Sequence, residues 1–205
     1  MPAILLILSA PSGTGKTTLA HRLCAAHPGS IFSVSFTTRP PRGREQDGLD
    51  YHFVQEAEFA RMAAEGGFVE WAEVYGHHYG TPRSVIDEAR RRAGLAVFDL
   101  DVQGGQAIKK QHPDAVRVLL LPPSMAELER RLRARSTDDD AVIARRLQRA
   151  RAEISLSLQS GYEYWVVNEE VERAYGDLEA IVRAERCRAG RRALASDLTG
   201  GLTGE

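Results

Sequence analysis

The sequence predicts an open, mainly parallel α/β sheet with helices on both faces, and three observations carry that expectation. Apolar runs at Ile4–Leu8, Leu95–Asp101, Val116–Leu121 and Tyr164–Asn168 are short and nearly continuous, as in strands covered on both sides. Helical segments separate the later runs, so the pattern is a repeated βα unit. The first run feeds straight into a glycine-rich turn, Ala10-Pro11-Ser12-Gly13-Thr14-Gly15-Lys16-Thr17, which opens onto a helical Thr18–Cys24.

Size and composition narrow the class. With 205 residues, 43% of them hydrophobic and 27% charged, the chain reads as soluble and globular, with one sizeable core. A formal charge of −1 argues against a dedicated nucleic-acid binder. Cys24 and Cys187 lack metal-ligand spacing and read as small core or surface residues in a reducing compartment. The apolar N-terminal run is too short for a signal peptide or a membrane span, and no basic region precedes it. The expectation is a cytoplasmic chain with no membrane partner; its oligomeric state is not legible.

The strand–loop–helix context of residues 10–17 is what a phosphate-binding loop needs. Successive backbone N–H groups turn inward as an anion nest, and the positive end of the next helix points at the same spot. Lys16 adds a point charge for the β- and γ-phosphates of a nucleoside triphosphate, and the Thr17 hydroxyl takes one place on Mg²⁺. The lysines of the chain are Lys16, Lys109 and Lys110, so a lysine here is informative. Ala10 stands where such loops carry glycine; if that position needed a positive φ, alanine would cost about 1–2 kcal/mol.

The remaining elements follow in order. Pro28-Gly29 breaks the first helix, and Ser30–Ser35 reads as a second strand. Residues 36–94 change composition and read as an inserted subdomain. It has candidate strands at Tyr51–Val54 and Phe68–Val74, and a helix at Ala57–Glu65 with Phe59, Met62 and Ala63 on one face. Tyr79-Gly80-Thr81 reads as a polar turn, His77 and His78 as turn or surface residues, and Pro82–Arg92 as a helix with proline in its first turn. Ser124–Ser160 is helical on both sides of a polar gap at 136–140, and Ser124 with Glu127 has the spacing of a capping box. Val171–Arg188 closes the fold, 189–205 reads as a frayed tail, and Trp71 and Trp165 read as core.

A second constellation lies in Ser35-Phe36-Thr37-Thr38-Arg39-Pro40-Pro41-Arg42, followed by Glu45, Gly48 and Tyr51. Two arginines three apart in a proline-stiffened loop can converge on one phosphate, each offering a planar fork of donors, and a tyrosine hydroxyl can join them. Further on, Glu70 is a carboxylate able to accept from the N1–H and 2-amino group of guanine together, a donor pair adenine lacks.

These motifs, with Tyr79-Gly80-Thr81, Asp99-x-Asp101-x-x-Gly104 and Val167-Asn168, resemble the guanylate kinases in content and order from about Ala3 to Arg188. The resemblance implies a P-loop kinase core (about 3–35, 95–123 and 161–188), a GMP-binding subdomain (about 36–94) and a mobile helical lid (about 124–160). It implies transfer of the γ-phosphate of ATP to GMP with Mg²⁺, in purine nucleotide metabolism. In it, Arg39, Arg42, Tyr51 and Tyr79, with Glu45 beside them, hold the GMP phosphate, and Ser35, Glu70 and Thr81 read the guanine. Asp99 and Asp101 serve the nucleotide site or the magnesium water shell. Arg131, Arg135 and Arg146, with Arg149 a further candidate, close from the lid, and Asn168 lies toward the ATP base.

Two departures stand out: Arg44 occupies a position that is usually glycine, with Gly43 one place earlier, and Ser136 follows Arg135 where glycine is common. A kinase for another acceptor, or a non-catalytic module binding a phosphorylated peptide, are the competing readings; Lys16 and Thr17 count against the latter.

Overall fold

The computed structural model describes residues 2–74, 76–92, 94–135 and 139–191. Ser136 and the end of the chain from 192 lie outside the described residues, as do the side-chain expectations for Arg135. In chain order the first elements are β1 (Ile4–Ser9), α1 (Lys16–Ala26), β2 (Ile31–Ser33), β3 (Phe36–Thr37), β4 (His52–Phe53), α2 (Glu56–Ala64), β5 (Phe68–Val74) and β6 (His77–Pro82). There follow α3 (Arg83–Arg92), β7 (Leu95–Asp99), α4 (Val102–Gln111), β8 (Val116–Leu121), α5 (Met125–Arg135), α6 (Asp140–Leu158), β9 (Tyr164–Val167) and α7 (Val171–Cys187).

β1 is the centre of a five-stranded sheet in the order β2-β7-β1-β8-β9, every pair parallel. Because successive side chains in a strand point to opposite faces, β1 serves two cores at once. Ile4, Leu6 and Leu8 pack against Leu19 and Leu23 of α1 and Leu178 and Val182 of α7. Leu5 and Ile7 pack on the other side against Val85 and Ile86 of α3 and Ile108 of α4. Leu5 to Leu8 are wholly buried, each worth about 1.5–3 kcal/mol relative to exposure. The near-continuous apolar runs are thus explained by helices on both faces.

A second, four-stranded sheet runs β4-β3-β6-β5, with β6 antiparallel to both β3 and β5. Here the structure corrects the expectation of a turn at Tyr79–Thr81: these residues lie within a strand, paired Glu70↔Thr81, Trp71↔Gly80 and Ala72↔Tyr79. The strand escapes detection because histidine, glycine and proline replace the usual alternation. Gly80 is required by packing, since a Cβ there would sit 2.8 Å from the ring of Phe68. Phe68 in turn stacks on Phe59 of α2 at 4.5 Å between centroids.

Trp71 and Trp165 are not core residues; they are 52% and 58% exposed. Both lie on the edge strands of their sheets, Trp71 on β5 and Trp165 on β9, beyond which no further strand pairs among the described residues. At the start of α5, Ser124 Oγ accepts from the Glu127 N–H at 3.1 Å, but only half of the capping box forms. The Glu127 carboxylate is taken instead by Arg130 and Arg131, which hold it down at a pKa of about 2.

Gly80→Ala should push the Phe68 ring out of place and lower unfolding stability by about 1–3 kcal/mol. Denaturant unfolding measures this; an unchanged midpoint would show that Phe68 yields freely.

Candidate active site

The anion nest is built by the exit of β1. Gly13 and Gly15 carry φ of +90° and +92°, which turns the loop tightly back toward α1. Gly15 is the N-cap of α1, no side chain caps that end, and its first turn has no acid. The orphan N–H groups and the positive dipole end therefore remain available to an anion. Thr14 Oγ1 closes the loop internally by donating to Pro11 O at 2.8 Å.

Lys16 and Thr17 both meet Asp99, at the end of β7. The Lys16 ammonium is 2.5 Å from Asp99 Oδ1 and donates to Leu100 O at 3.0 Å, while Thr17 Oγ1 donates to Asp99 Oδ2 at 2.8 Å. Asp101 caps α4, its Oδ1 accepting from Gly104 N at 2.8 Å. Around these groups lies a cavity of about 520 Å³, lined by residues 9–18 with Asp101, Gln103, Glu153 and Leu156.

The loop is held from outside by side chains the sequence did not place there. Asn168, only 2% exposed, donates from Nδ2 to Thr14 O at 2.6 Å. A Cβ on Gly15 would come within 2.8 Å of that nitrogen, so glycine at 15 serves this approach as well as the turn. Arg131 then donates to Asn168 O at 2.8 Å and to Glu169 O at 3.0 Å, with its Nε on Glu127 at 2.7 Å. Leu128 and Leu132 of α5 lie directly on Gly13, where a Cβ would meet Leu132 at 2.8 Å. α5 is thus a buttress of the loop.

A second cavity of about 790 Å³ opens toward the smaller sheet; Ser35, Arg42, Tyr51, Glu70 and Tyr79 line it. Lys16, Asp101 and Gln103 line both cavities, so the two spaces meet at the lysine. Arg39 is buried beside this space and is held from all sides. Its Nη1 and Nη2 donate to Glu45 at 2.9 and 3.0 Å, Nη1 also donates to Pro40 O, and Nε donates to the Tyr79 hydroxyl at 3.2 Å. Of five guanidinium N–H groups, one on Nη2 is left over. Arg39 keeps the Glu45 carboxyl below its usual range, and Glu45 also accepts from the Arg42 N–H at 2.8 Å. The positive φ of this turn, +56°, falls at Gly43, where the sequence offers glycine in place of the usual position at 44. Tyr51 lies under the Arg39 guanidinium at 5.3 Å, and burial pushes its hydroxyl pKa up, which keeps it a donor.

Glu70 accepts from the Thr81 hydroxyl, and burial raises its carboxyl pKa, against the lowering effect of Thr81. Gly104 admits this carboxylate close to the start of α4; a Cβ would lie 3.3 Å from Glu70 Oε2. Arg146 is exposed on α6 and lines neither cavity, and the side chain of Arg135 lies outside the described residues. Sequence reasoning missed Gln103, Glu153 and Leu156. Glu153 had a signal, since it lies seven residues after Arg146 and so on the same helical face.

Asn168→Ala should leave Thr14 O unpaired in a buried setting, at a cost of about 1–3 kcal/mol. Steady-state kinetics should show a raised KM for the triphosphate with little change for the other substrate; equal effects on both would count against a loop-supporting role.

The chain is similar to known proteins along nearly its whole length. The guanylate kinase family model matches residues 3–185. A guanylate kinase of Myxococcus xanthus is 60% identical over 190 residues, covering 93% of this chain and 90% of that protein. One from Anaeromyxobacter dehalogenans is 58% identical, covering 93% and 85%. The crystal structure of guanylate kinase from Anaplasma phagocytophilum superposes with a TM-score of 0.77 at 31% identity, covering 98% of this chain and 95% of that one. With the family model spanning nearly all of a chain whose phosphate loop faces a second, arginine-lined cavity, the protein belongs to the guanylate kinase family.

Proposed function

We propose that the chain transfers the γ-phosphoryl group of ATP to GMP, giving ADP and GDP, through the residues gathered at the two cavities. The observation that carries this reading is the junction of those cavities at Lys16, where a donor phosphate on the loop and an acceptor phosphate beside Arg42 would face each other. Phosphoryl transfer passes through a loose transition state, so the protein positions its substrates and neutralises charge. The attacking oxygen of GMP is already anionic at neutral pH, so no general base is needed.

On the donor side, the loop 10–15, through the N–H groups that its non-proline residues leave free, and Lys16 hold the ATP phosphates; Lys16 exchanges Asp99 for phosphate oxygens. Asn168 supports the ATP site by fixing the loop from behind. Thr17 Oγ1 and Asp99 Oδ2, 2.8 Å apart, are hard oxygen donors of the kind Mg²⁺ takes in ones and twos beside water and phosphate. The ion would supply neutralisation of the phosphate charge. On the acceptor side, Arg42, the remaining N–H of Arg39 and the hydroxyls of Tyr51 and Tyr79 hold the GMP phosphate, with Glu45 fixing both arginines. Ser35, Glu70 and Thr81 read the guanine, and Asp101 orients the start of α4 between the two substrates.

We assign residues 36–94 to acceptor binding, 124–160 to the lid and the rest of 3–188 to the core. Arg131 and Arg135 meet the phosphates from α5, the buttress, and Arg146 closes on them from α6, the moving part. Closure matters because water admitted at the lysine would hydrolyse ATP. Among the described residues no helix is long and apolar enough to cross a membrane. Free thiols at Cys24 and Cys187 suit the reducing cytoplasm, where these nucleotides are supplied.

The deciding experiment is ADP release from Mg-ATP with GMP, AMP, CMP, UMP or no acceptor. GMP should exceed all others; equal turnover without an acceptor, or preference for another one, would overturn the acceptor assignment. Lys16→Ala should lower kcat by about 10²–10³.

The raised pKa of Glu70 adds a pH dependence. As pH falls, Glu70 protonates above the ordinary carboxyl value and ceases to accept from guanine, so KM for GMP should rise there. Glu70→Gln should raise KM at neutral pH and remove that acid limb. Because an ionised carboxylate with a raised pKa opposes folding above its unfolded pKa, the same variant should be slightly more stable at neutral pH.

A further inference from the structure

Glu153 is a carboxylate in the donor cavity with no role in the assignments above. It projects from α6, three residues after the buried Ala150 and four before the buried Ser157. Its side chain joins Asp101 and residues 9–18 in lining the space over the phosphate loop. The other acids of this region are spent on arginines: Glu127 on Arg130 and Arg131, Glu129 and Asp140 on Arg133. Among the described residues Glu153 has no ion-pair partner within 4 Å. The charges it feels are Lys16 and Arg149 in its favour and Asp101 against, and burial in the cleft raises its carboxyl pKa.

The consequence is electrostatic. Asp101 and Glu153 bring two carboxylates to the wall of the donor cavity, and its single lysine is already paired at 2.5 Å with a third, Asp99, which lines the adjoining cavity. A nucleoside triphosphate without its cation brings two more negative charges into this space than its Mg²⁺ complex does. Glu153 stays open to solvent on one side, which screens the repulsion in part, but a carboxylate facing the phosphates still penalises the bare anion more than the complex. Selectivity of this kind needs a repulsive element as well as an attractive one.

We propose that Glu153 is a specificity-determining residue of the donor site: it makes the cavity reject metal-free ATP and accept the magnesium complex. Thr17 and Asp99 supply the attraction for the complexed cation, and Glu153 supplies the discrimination from α6. The inference rests on the donor cavity being the ATP site.

Calorimetric binding of ATP to the whole chain, without GMP, in EDTA and in excess Mg²⁺, tests it. Glu153→Gln should tighten metal-free ATP by about five- to tenfold and change Mg-ATP by less than about twofold, so that the affinity ratio collapses. Glu153→Asp, which keeps the charge, should preserve the ratio. A ratio unchanged in Glu153→Gln overturns the proposal, whether both affinities stay put, as for a solvated surface acid, or weaken together, as for a residue that only positions Lys16. GMP binding to the same samples reports that each variant is folded. If wild type binds no ATP at all while GMP binds, the ATP-site reading itself fails, which separates that failure from this one.

Discussion

The burial of β1 on both faces governs the rest of the molecule. With Leu5 to Leu8 wholly enclosed, the strand cannot slip by one residue without exchanging its two cores. Its C-terminal end is therefore fixed in space, and the loop that leaves it inherits that fixity. β7 on one side and β8 on the other are aligned by the same parallel ladder. Asp99 arrives beside Lys16 and Thr17 because Leu8 pairs with Asp99 in register. The chemistry at the sheet edge is positioned by hydrocarbon several ångströms away.

Charge is handled by early pairing. Arg39 enters the acceptor side already bound to Glu45 and Tyr79, Arg131 is held by Glu127 and two carbonyls, and Lys16 rests on Asp99. Each cation is oriented before any phosphate arrives, which lowers the ordering cost of binding. Exposed arginine pairs such as Arg133 with Glu129 are worth little to stability. The buried Arg39 pair matters more, because removing Glu45 would leave a desolvated cation without its partner.

The elements legible in the sequence were those with one dominant local cause. Continuous apolar runs marked β1, β7, β8 and β9, and residues 10–17 announced the phosphate loop through glycine, lysine and their strand–helix flanks. Arg39, Arg42 and Glu70 were visible as a chemical set. What stayed hidden depends on distant partners. β6 has no alternation of its own, since Gly80 answers to Phe68 twelve residues earlier. Trp71 and Trp165 misled because aromatic content suggests a core, whereas sheet order puts both on edges. Asn168 supports a loop more than 150 residues away, and no local pattern could foretell that carbonyl partner. Glu153 hides within an arginine-rich helix that reads as a solvated face.

The edge placement of the two tryptophans has an optical consequence. Trp71 belongs to the wall of the second cavity and meets His78 and Phe59 edge-on, while Trp165 lies at the far border of the larger sheet. The chain holds no other tryptophan. Its intrinsic emission is therefore the sum of one indole on the wall of the second cavity and one remote from it. With Trp165 replaced by phenylalanine, the remaining signal becomes a label-free gauge of what enters that cavity, written into the protein by the strand that carries Glu70.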